Sequence, residues 1–175
     1  MANPSTHLTL VIGGARSGKS RYAESLIAAH PPPWLYVATA QPLDDEMRER
    51  IAAHRARRGA GWRAIEAPRE VADAIGGAAA GGAVLVDCLT LWLSNLMLAG
   101  VDVEAETERL EAALARTAAP VVLVSNEVGF GIVPDNALAR RFRDAQGRLN
   151  QRIAARADRV VLMVAGLPLV VKGDA

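Results

Sequence analysis

Cysteine is nearly absent from this chain: Cys88 stands alone among 175 residues. An internal disulfide is therefore excluded, and the composition fits a reducing compartment. No Cys/His spacing of the kind that holds a structural metal is present. Excess charge of either sign is also missing. The net charge of +1 argues against a large nucleic-acid footprint, which needs a basic tail or stripe. The richest basic cluster, Arg55, Arg57 and Arg58, is short. It suits a phosphate-bearing small ligand or a solvated helix end. No apolar run reaches the ~18–20 residues needed to span a bilayer, and the polar stretch Met1–Thr6 has no signal-peptide core. These absences predict a cytoplasmic protein. There is no internal repeat, and the Gly/Ala-rich segment 76–82 is too short to link two domains. One domain over residues 1–175 is expected, long enough to bury a core.

Lysine is scarce as well: only Lys19 and Lys172 among 20 basic residues. A chain that otherwise uses arginine keeps lysine where a compact point charge is wanted. Lys19 lies in Gly13-Gly14-Ala15-Arg16-Ser17-Gly18-Lys19-Ser20, which fits G-x-x-x-x-G-K-[ST], the phosphate-cradling P-loop. For this composition the pattern arises by chance in about one chain in a thousand. The apolar run Leu8–Ile12 precedes it and a helix-like stretch, Arg21–Ala29, follows. Strand, glycine loop and helix form the context the motif requires. Gly13 and Gly18 permit backbone angles and close approaches that a Cβ forbids. The loop N–H groups and the helix N-terminus then converge on one anion. Lys19 is expected to reach the β/γ-phosphates, and the Ser20 hydroxyl to ligate Mg²⁺.

Five near-continuous apolar runs mark strands buried on both faces of a parallel sheet: Leu8–Ile12, Trp34–Ala38, Ala83–Val86, Val121–Ser125 and Val160–Val164. Crossover helices are predicted over Leu43–Arg58, Asp102–Thr117 and Asn136–Ala157. The first starts acidic and ends basic, as a helix dipole favours, with Leu43, Met47 and Ile51 as its apolar stripe. The last has a cap at Asp135 or Asn136. Ala165-Gly166-Leu167-Pro168 reads as a turn between Val160–Val164 and Leu169–Lys172, an antiparallel edge pair. The class is α/β, three-layered, with the ligand at the carboxyl ends of the strands.

Ala83–Val86 closes on Asp87, the pattern of a strand-end acid in the magnesium shell; such an aspartate also commonly caps the next helix. Glu127 sits at a similar rim after Val121–Ser125 as a turn cap, a base or a ligand contact. His54 borders the apolar face of its helix, where a lone histidine usually packs. Its alternative is nucleophilic: a neutral imidazole nitrogen can attack an α-phosphorus while nearby arginines neutralise the phosphates. Trp34, Trp62 and Trp92 are most simply packing residues.

Several segments together resemble the bifunctional adenosylcobinamide kinase / adenosylcobinamide-phosphate guanylyltransferase family of cobalamin biosynthesis. They are Gly13–Arg21, Tyr36–Ala40, Asp44–Met47, Arg50-Ile51, His54-Arg55, Trp62-Arg63, Glu66, Asp87–Thr90, Asn126–Gly129, Gly131–Pro134, Gly147-Arg148 and Asn150-Gln151. The similarity runs over about Leu8 to Lys172. It implies a RecA-like P-loop NTPase fold, a mostly parallel sheet with an antiparallel C-terminal hairpin, and a homotrimer. It also implies two reactions. Adenosylcobinamide is phosphorylated with ATP or GTP; then GMP passes from GTP through a histidine to adenosylcobinamide phosphate, giving adenosylcobinamide-GDP. The family's histidine maps onto His54. Its nucleotide contacts map onto Gly14, Ala15, Arg16, Ser17, Gly18, Lys19 and Ser20, onto Ala38, Thr39 and Ala40, onto Arg55, Ala56, Arg57 and Arg58, and onto Glu66 and Asp87. Mg²⁺ is expected at Ser20 and Asp87. The family position at Asp87 is often glutamate, which is equally a hard oxygen ligand. The implied partners are the two corrinoid substrates, with no nucleic acid and no membrane span. A plain small-molecule kinase in which His54 only packs, and a nucleotide-binding switch without turnover, are the competing readings.

Overall fold

Leu10 and Val11 are both fully buried although their side chains leave the first strand on opposite sides. That strand is therefore covered on both faces, and the rest of the architecture follows from covering it. The computed structural model describes residues 7–42, 44–56, 58–78 and 82–174. In chain order the elements are β1 (Leu8–Gly13), α1 (Lys19–Ala28), β2 (Trp34–Ala38), α2 (Asp45–Ala56), β3 (Trp62–Glu66), α3 (Val71–Gly76) and β4 (Ala83–Asp87). They continue with α4 (Leu89–Leu98), α5 (Val103–Arg116), β5 (Val121–Asn126), α6 (Ala137–Arg156), β6 (Arg159–Val164) and β7 (Leu167–Lys172).

The strands form one sheet in the order β3-β2-β4-β5-β1-β6-β7. All pairs are parallel except β6–β7. Leu10, Val84, Val86, Leu123 and Val160 face a core shared with α3, α4, α5 and α6. Val11, Leu85, Val122, Val124 and Val161 face the opposite core, to which α1 contributes Ala23 and Ile27. The expected three-layer α/β architecture with an antiparallel C-terminal hairpin is observed. Among the described residues no helix is long and apolar enough to cross a membrane.

Three elements were not predicted, each for a physical reason. β3 is exposed at Arg63, Ala64 and Glu66, so it has no continuous apolar run. α4 (LTLWLSNLML) is apolar nearly all round because it is buried, with Leu89, Trp92, Leu93 and Leu96 in the core; no amphipathic period marks it. α3 spans six residues, below the usual length of a recognisable helix. Boundaries also shift. α1 begins at Lys19, directly after Gly18. α2 ends at Ala56 rather than Arg58, and Leu43 of its expected stripe lies outside the described residues. The cap of α6 is Asn136, whose Oδ1 accepts from the Ala139 N–H at 2.8 Å. The hairpin turn is only Ala165-Gly166, at φ 51 and 83, the handedness that two-residue hairpins favour. Pro168 is thus in β7, an edge strand, where its missing N–H is tolerated.

On the outer helical layer Glu111 pairs with Arg152 at 2.7 Å and Arg156 at 3.2 Å. The Arg152 hydrogen bonds, chiefly, hold its carboxyl below the usual carboxylate range. A depressed folded pKa stabilises above the unfolded value and ceases to do so as pH falls through the folded one. Glu111→Gln is therefore expected to flatten the acid side of a plot of Tm against pH, measured below the ordinary carboxylate range, and to leave its slope near neutrality unchanged.

Candidate active site

Parallel strands bring their carboxyl ends to one rim. Ala38 is in register with Glu66 on one side and Asp87 on the other. Gly13 is level with Asn126 and Met163. From Gly13 the chain leaves β1 and turns through the glycine loop into α1. A Cβ at Gly13 would lie 2.6 Å from the Met163 carbonyl oxygen, so only glycine fits between the neighbouring strands. Gly18 adopts φ 94 and starts the helix without a side-chain cap. Its first-turn N–H groups are thereby left for an anion.

The loop is held from two sides. The Glu127 N–H donates to Gly13 O at 3.0 Å, and the Gly166 N–H, in the β6–β7 turn, donates to Ser17 O at 3.1 Å. Lys19 is buried, and its Nζ donates to Gly14 O at 2.5 Å. Gly14, Ala15 and Arg16 are exposed at the top of the loop. The buried Ser17 hydroxyl has no hydrogen-bond partner among the described residues. A buried orphan inside a loop open to the rim is what an incoming anion resolves. The loop therefore fits a nucleotide phosphate. Ser20 follows in the first turn, and with the Asp87 carboxylate it offers the hard oxygen donors that suit Mg²⁺. Among the described residues no cluster of three or more His, Cys, Asp or Glu side chains forms a self-sufficient metal site.

Around Asp87 the site is built from buried polar contacts. The Tyr36 hydroxyl donates to Asp87 Oδ2 at 3.1 Å. Burial, and then the Asp87 charge, push the Tyr36 hydroxyl well above the usual tyrosine range, with Arg58 opposing. Tyr36 therefore remains a donor. The Arg58 guanidinium carbon lies 3.5 Å from the Tyr36 ring centroid, and Trp62 meets the same ring edge-on at 6.2 Å. Thr39, fully buried, locks the next turn: its Oγ1 donates to Cys88 O at 2.7 Å and accepts from Cys88 N at 2.8 Å. Asn95 Nδ2 on α4 donates to Thr39 O and Pro68 O, each at 2.9 Å. The Cys88 thiol is raised to about 11, first by burial and next by Asp87.

The candidate residues thus divide. Gly14 to Ser20, Ala38 and Asp87 share the rim. Thr39 faces inward as a brace, and Ala40 is half-buried after it. Arg55 and Glu66 form an ion pair at 2.6 Å that ties the last turn of α2 to the end of β3. Ala56 ends that helix, exposed. The backbone of His54 belongs to the same turn; its side chain, and all of Arg57, lie outside the described residues. Tyr36, Thr90, Asn95, Gln146 and Asn150 had no assigned role. Thr90 Oγ1 accepts from the Asn126 N–H at 2.8 Å, and Asn150 Nδ2 donates to Asn126 O at 3.0 Å. Gln146 Nε2 donates to the Ser125 hydroxyl at 2.9 Å. For Tyr36, Thr90 and Asn95 the signal is a polar group inside an otherwise apolar strand or helix; Gln146 and Asn150 lie in the polar helix α6 and carry no such signal.

The sequence pattern of the family described as cobinamide kinase / cobinamide phosphate guanyltransferase matches residues 9–171. A bifunctional adenosylcobalamin biosynthesis protein, CobP, of Pseudomonas aeruginosa is 49% identical over 168 residues, covering 94% of this chain and 97% of that protein. Its namesakes CobU of Salmonella typhimurium and of Escherichia coli are 46% and 44% identical, each over 94% of this chain and 99% of theirs. An ATPase of a bacterial type III secretion system has a similar structure, with TM-score 0.53 at 12% identity over 94% of this chain and 56% of that one. A Pyrococcus horikoshii protein follows at TM-score 0.52 and 8% identity, over 97% and 87%. These two likenesses show the fold alone.

The brace predicts a stability effect. Thr39→Val leaves the buried Cys88 N–H and C=O without the hydroxyl, an expected loss of about 2 kcal/mol, read as a lower denaturant midpoint with an unchanged slope.

Proposed function

This chain belongs to the cobinamide kinase / cobinamide phosphate guanyltransferase family, bifunctional enzymes of cobalamin biosynthesis, and from that premise we propose how its residues divide the two reactions. In the kinase step the glycine loop and Lys19 neutralise the triphosphate of ATP or GTP. The aminopropanol hydroxyl of adenosylcobinamide attacks the γ-phosphorus in line, the bond to the β–γ bridging oxygen breaks, and the nucleoside diphosphate leaves. Such transfers need chiefly positioning and charge neutralisation. Ser20 and Asp87 would hold Mg²⁺, which would supply charge neutralisation at the phosphates.

In the second step an imidazole nitrogen of His54 attacks the α-phosphorus of GTP and pyrophosphate departs. A phosphate oxygen of adenosylcobinamide phosphate then displaces the histidine, giving adenosylcobinamide-GDP and restoring the imidazole. Splitting one displacement into two in this way gives ping-pong kinetics. Arg55, Ala56, Arg57 and Arg58 line the nucleotide, and Glu66 shares that role. The observation that carries this reading is the Arg55–Glu66 ion pair. It runs from the turn bearing His54 to the end of β3, on the rim that also carries Asp87 and the glycine loop. We assign the work to one catalytic unit in the cytoplasm, acting as a trimer. The exposed apolar residues Leu167, Leu169 and Val171 on edge strand β7 support an oligomer.

The corrinoid is assigned to the Val128–Asp135 loop. It departs from Glu127 beside the glycine loop and exposes Phe130 at 86%, Ile132 at 97% and Val133 at 62%, apolar surface suited to a macrocycle edge. Replacing Phe130 and Ile132 by serine is expected to raise the apparent Kd for cobinamide at least tenfold while nucleotide affinity stays constant; equal corrinoid affinity removes the assignment.

Incubation with α-labelled GTP and Mg²⁺, followed by peptide mapping, tests the histidine. Label is expected on the His54 peptide, labile to acid and stable to alkali. His54→Asn should lose guanylyl transfer and keep most kinase activity. A variant that completes both reactions normally would leave only the plain kinase standing.

A further inference from the structure

We propose that Tyr36 is a positioning residue that couples the arginine-bearing end of α2 to the Asp87 carboxylate, so that contacts made on α2 are felt at the magnesium–phosphate cradle. The inference rests on the assignment of Asp87 to the magnesium shell and extends it to a residue with no role in that assignment.

Tyr36 sits in β2, with Leu85 of β4 as its register partner. Asp87 is two residues beyond Leu85, on the same face of β4. The tyrosine hydroxyl therefore rises along that face to reach Asp87 Oδ2 at 3.1 Å. The ring is 5% exposed and is fixed from beside by Trp62, which itself packs against Trp34 with centroids 5.3 Å apart. A side chain so enclosed has little freedom to release the carboxylate by rotating. Its remaining face takes the Arg58 guanidinium at 3.5 Å. Arg58 is continuous with α2 through its N–H bond to Arg55 O at 3.2 Å, and Arg55 holds Glu66. One path of contacts thus runs from the last turn of α2 through Arg58 and the Tyr36 ring to the oxygen of a proposed metal ligand. Groups that hydrogen-bond a metal-binding carboxylate orient it, and their loss costs about 10–100-fold in metal affinity. The stacked cation, being charged, biases ring position.

The arrangement fits an enzyme with two nucleotide reactions. Capture of a guanylyl group near the end of α2 changes the charge that Arg58 faces. Through Tyr36 that change alters how Asp87 is presented, so the cradle is tuned between γ- and α-phosphate chemistry without a second metal site.

The test is calorimetric titration of Mg²⁺ into the full-length protein saturated with a non-hydrolysable GTP analogue, alongside analogue binding in EDTA. Tyr36→Phe keeps the ring, the Trp62 contact and the arginine stack but removes the donor. It is expected to weaken Mg²⁺ binding about tenfold and to leave metal-free nucleotide affinity unchanged. Arg58→Gln should weaken Mg²⁺ binding by a smaller factor, and the double variant no more than Tyr36→Phe alone. Asp87→Asn is the control for the underlying assignment: if it leaves Mg²⁺ affinity intact, the assignment of Asp87 itself fails. If Asp87→Asn abolishes the Mg²⁺ response while Tyr36→Phe does not move it, or if the two single effects simply add, the coupling is overturned. Circular dichroism and thermal melts of each variant separate these outcomes from misfolding.

Discussion

Everything at the rim depends on how closely β1 approaches β6 at Gly13. At Gly13 a Cβ would meet the Met163 carbonyl oxygen of β6 at 2.6 Å and the Ser17 hydroxyl of the loop itself at 2.9 Å, so no side chain fits. The loop that follows is consequently launched from a fixed point at the centre of the sheet. Its first carbonyl is gripped by Glu127 from one neighbouring strand, and its far limb by Gly166 beyond the other. A phosphate cradle works by presenting donors already aimed at the anion. Here that aim is set by sheet packing together with the loop's own bonds, from Lys19 Nζ and the Ser17 N–H to Gly14 O.

The second layer of order is polar and buried. Thr39, Asn95, Thr90, Asn150 and Gln146 spend their side chains on the backbone or on one another. They hold the turns after β4 and β5, the places from which Asp87 and Glu127 project. Buried polar groups are costly unless satisfied, and a satisfied network specifies one geometry; of this group Gln146 Oε1 alone is buried without a partner among the described residues. The site therefore has a stiff inner wall, made by α4 and α6, and an outer wall of exposed arginine and apolar loop residues that faces solvent.

How much of this was legible in the residues follows from distance along the chain. The glycine loop is a contiguous pattern, so Gly13, Gly18, Lys19 and Ser20 could be read directly, and Asp87 at the end of an apolar run nearly so. The parallel sheet was legible because strands buried on both faces are continuously apolar. β3 was not, because its exposed residues break that continuity, and α4 was not, because a helix apolar nearly all round shows no period. The role of Thr39 was illegible for another reason: its partner is 49 residues away, and nothing local distinguishes a brace from a ligand contact. His54 stood out only through family resemblance, since a histidine on an amphipathic helix carries no chemistry by position alone.

The Gly166–Ser17 contact has a consequence for how the enzyme comes into being. The glycine loop is synthesised before the turn that closes its flank, which follows roughly 150 residues later. Contacts so remote in sequence form late and slow the search for the native topology. A nascent chain thus carries the complete motif before the β6–β7 hairpin can brace it, and the loop reaches its final form only once that hairpin docks.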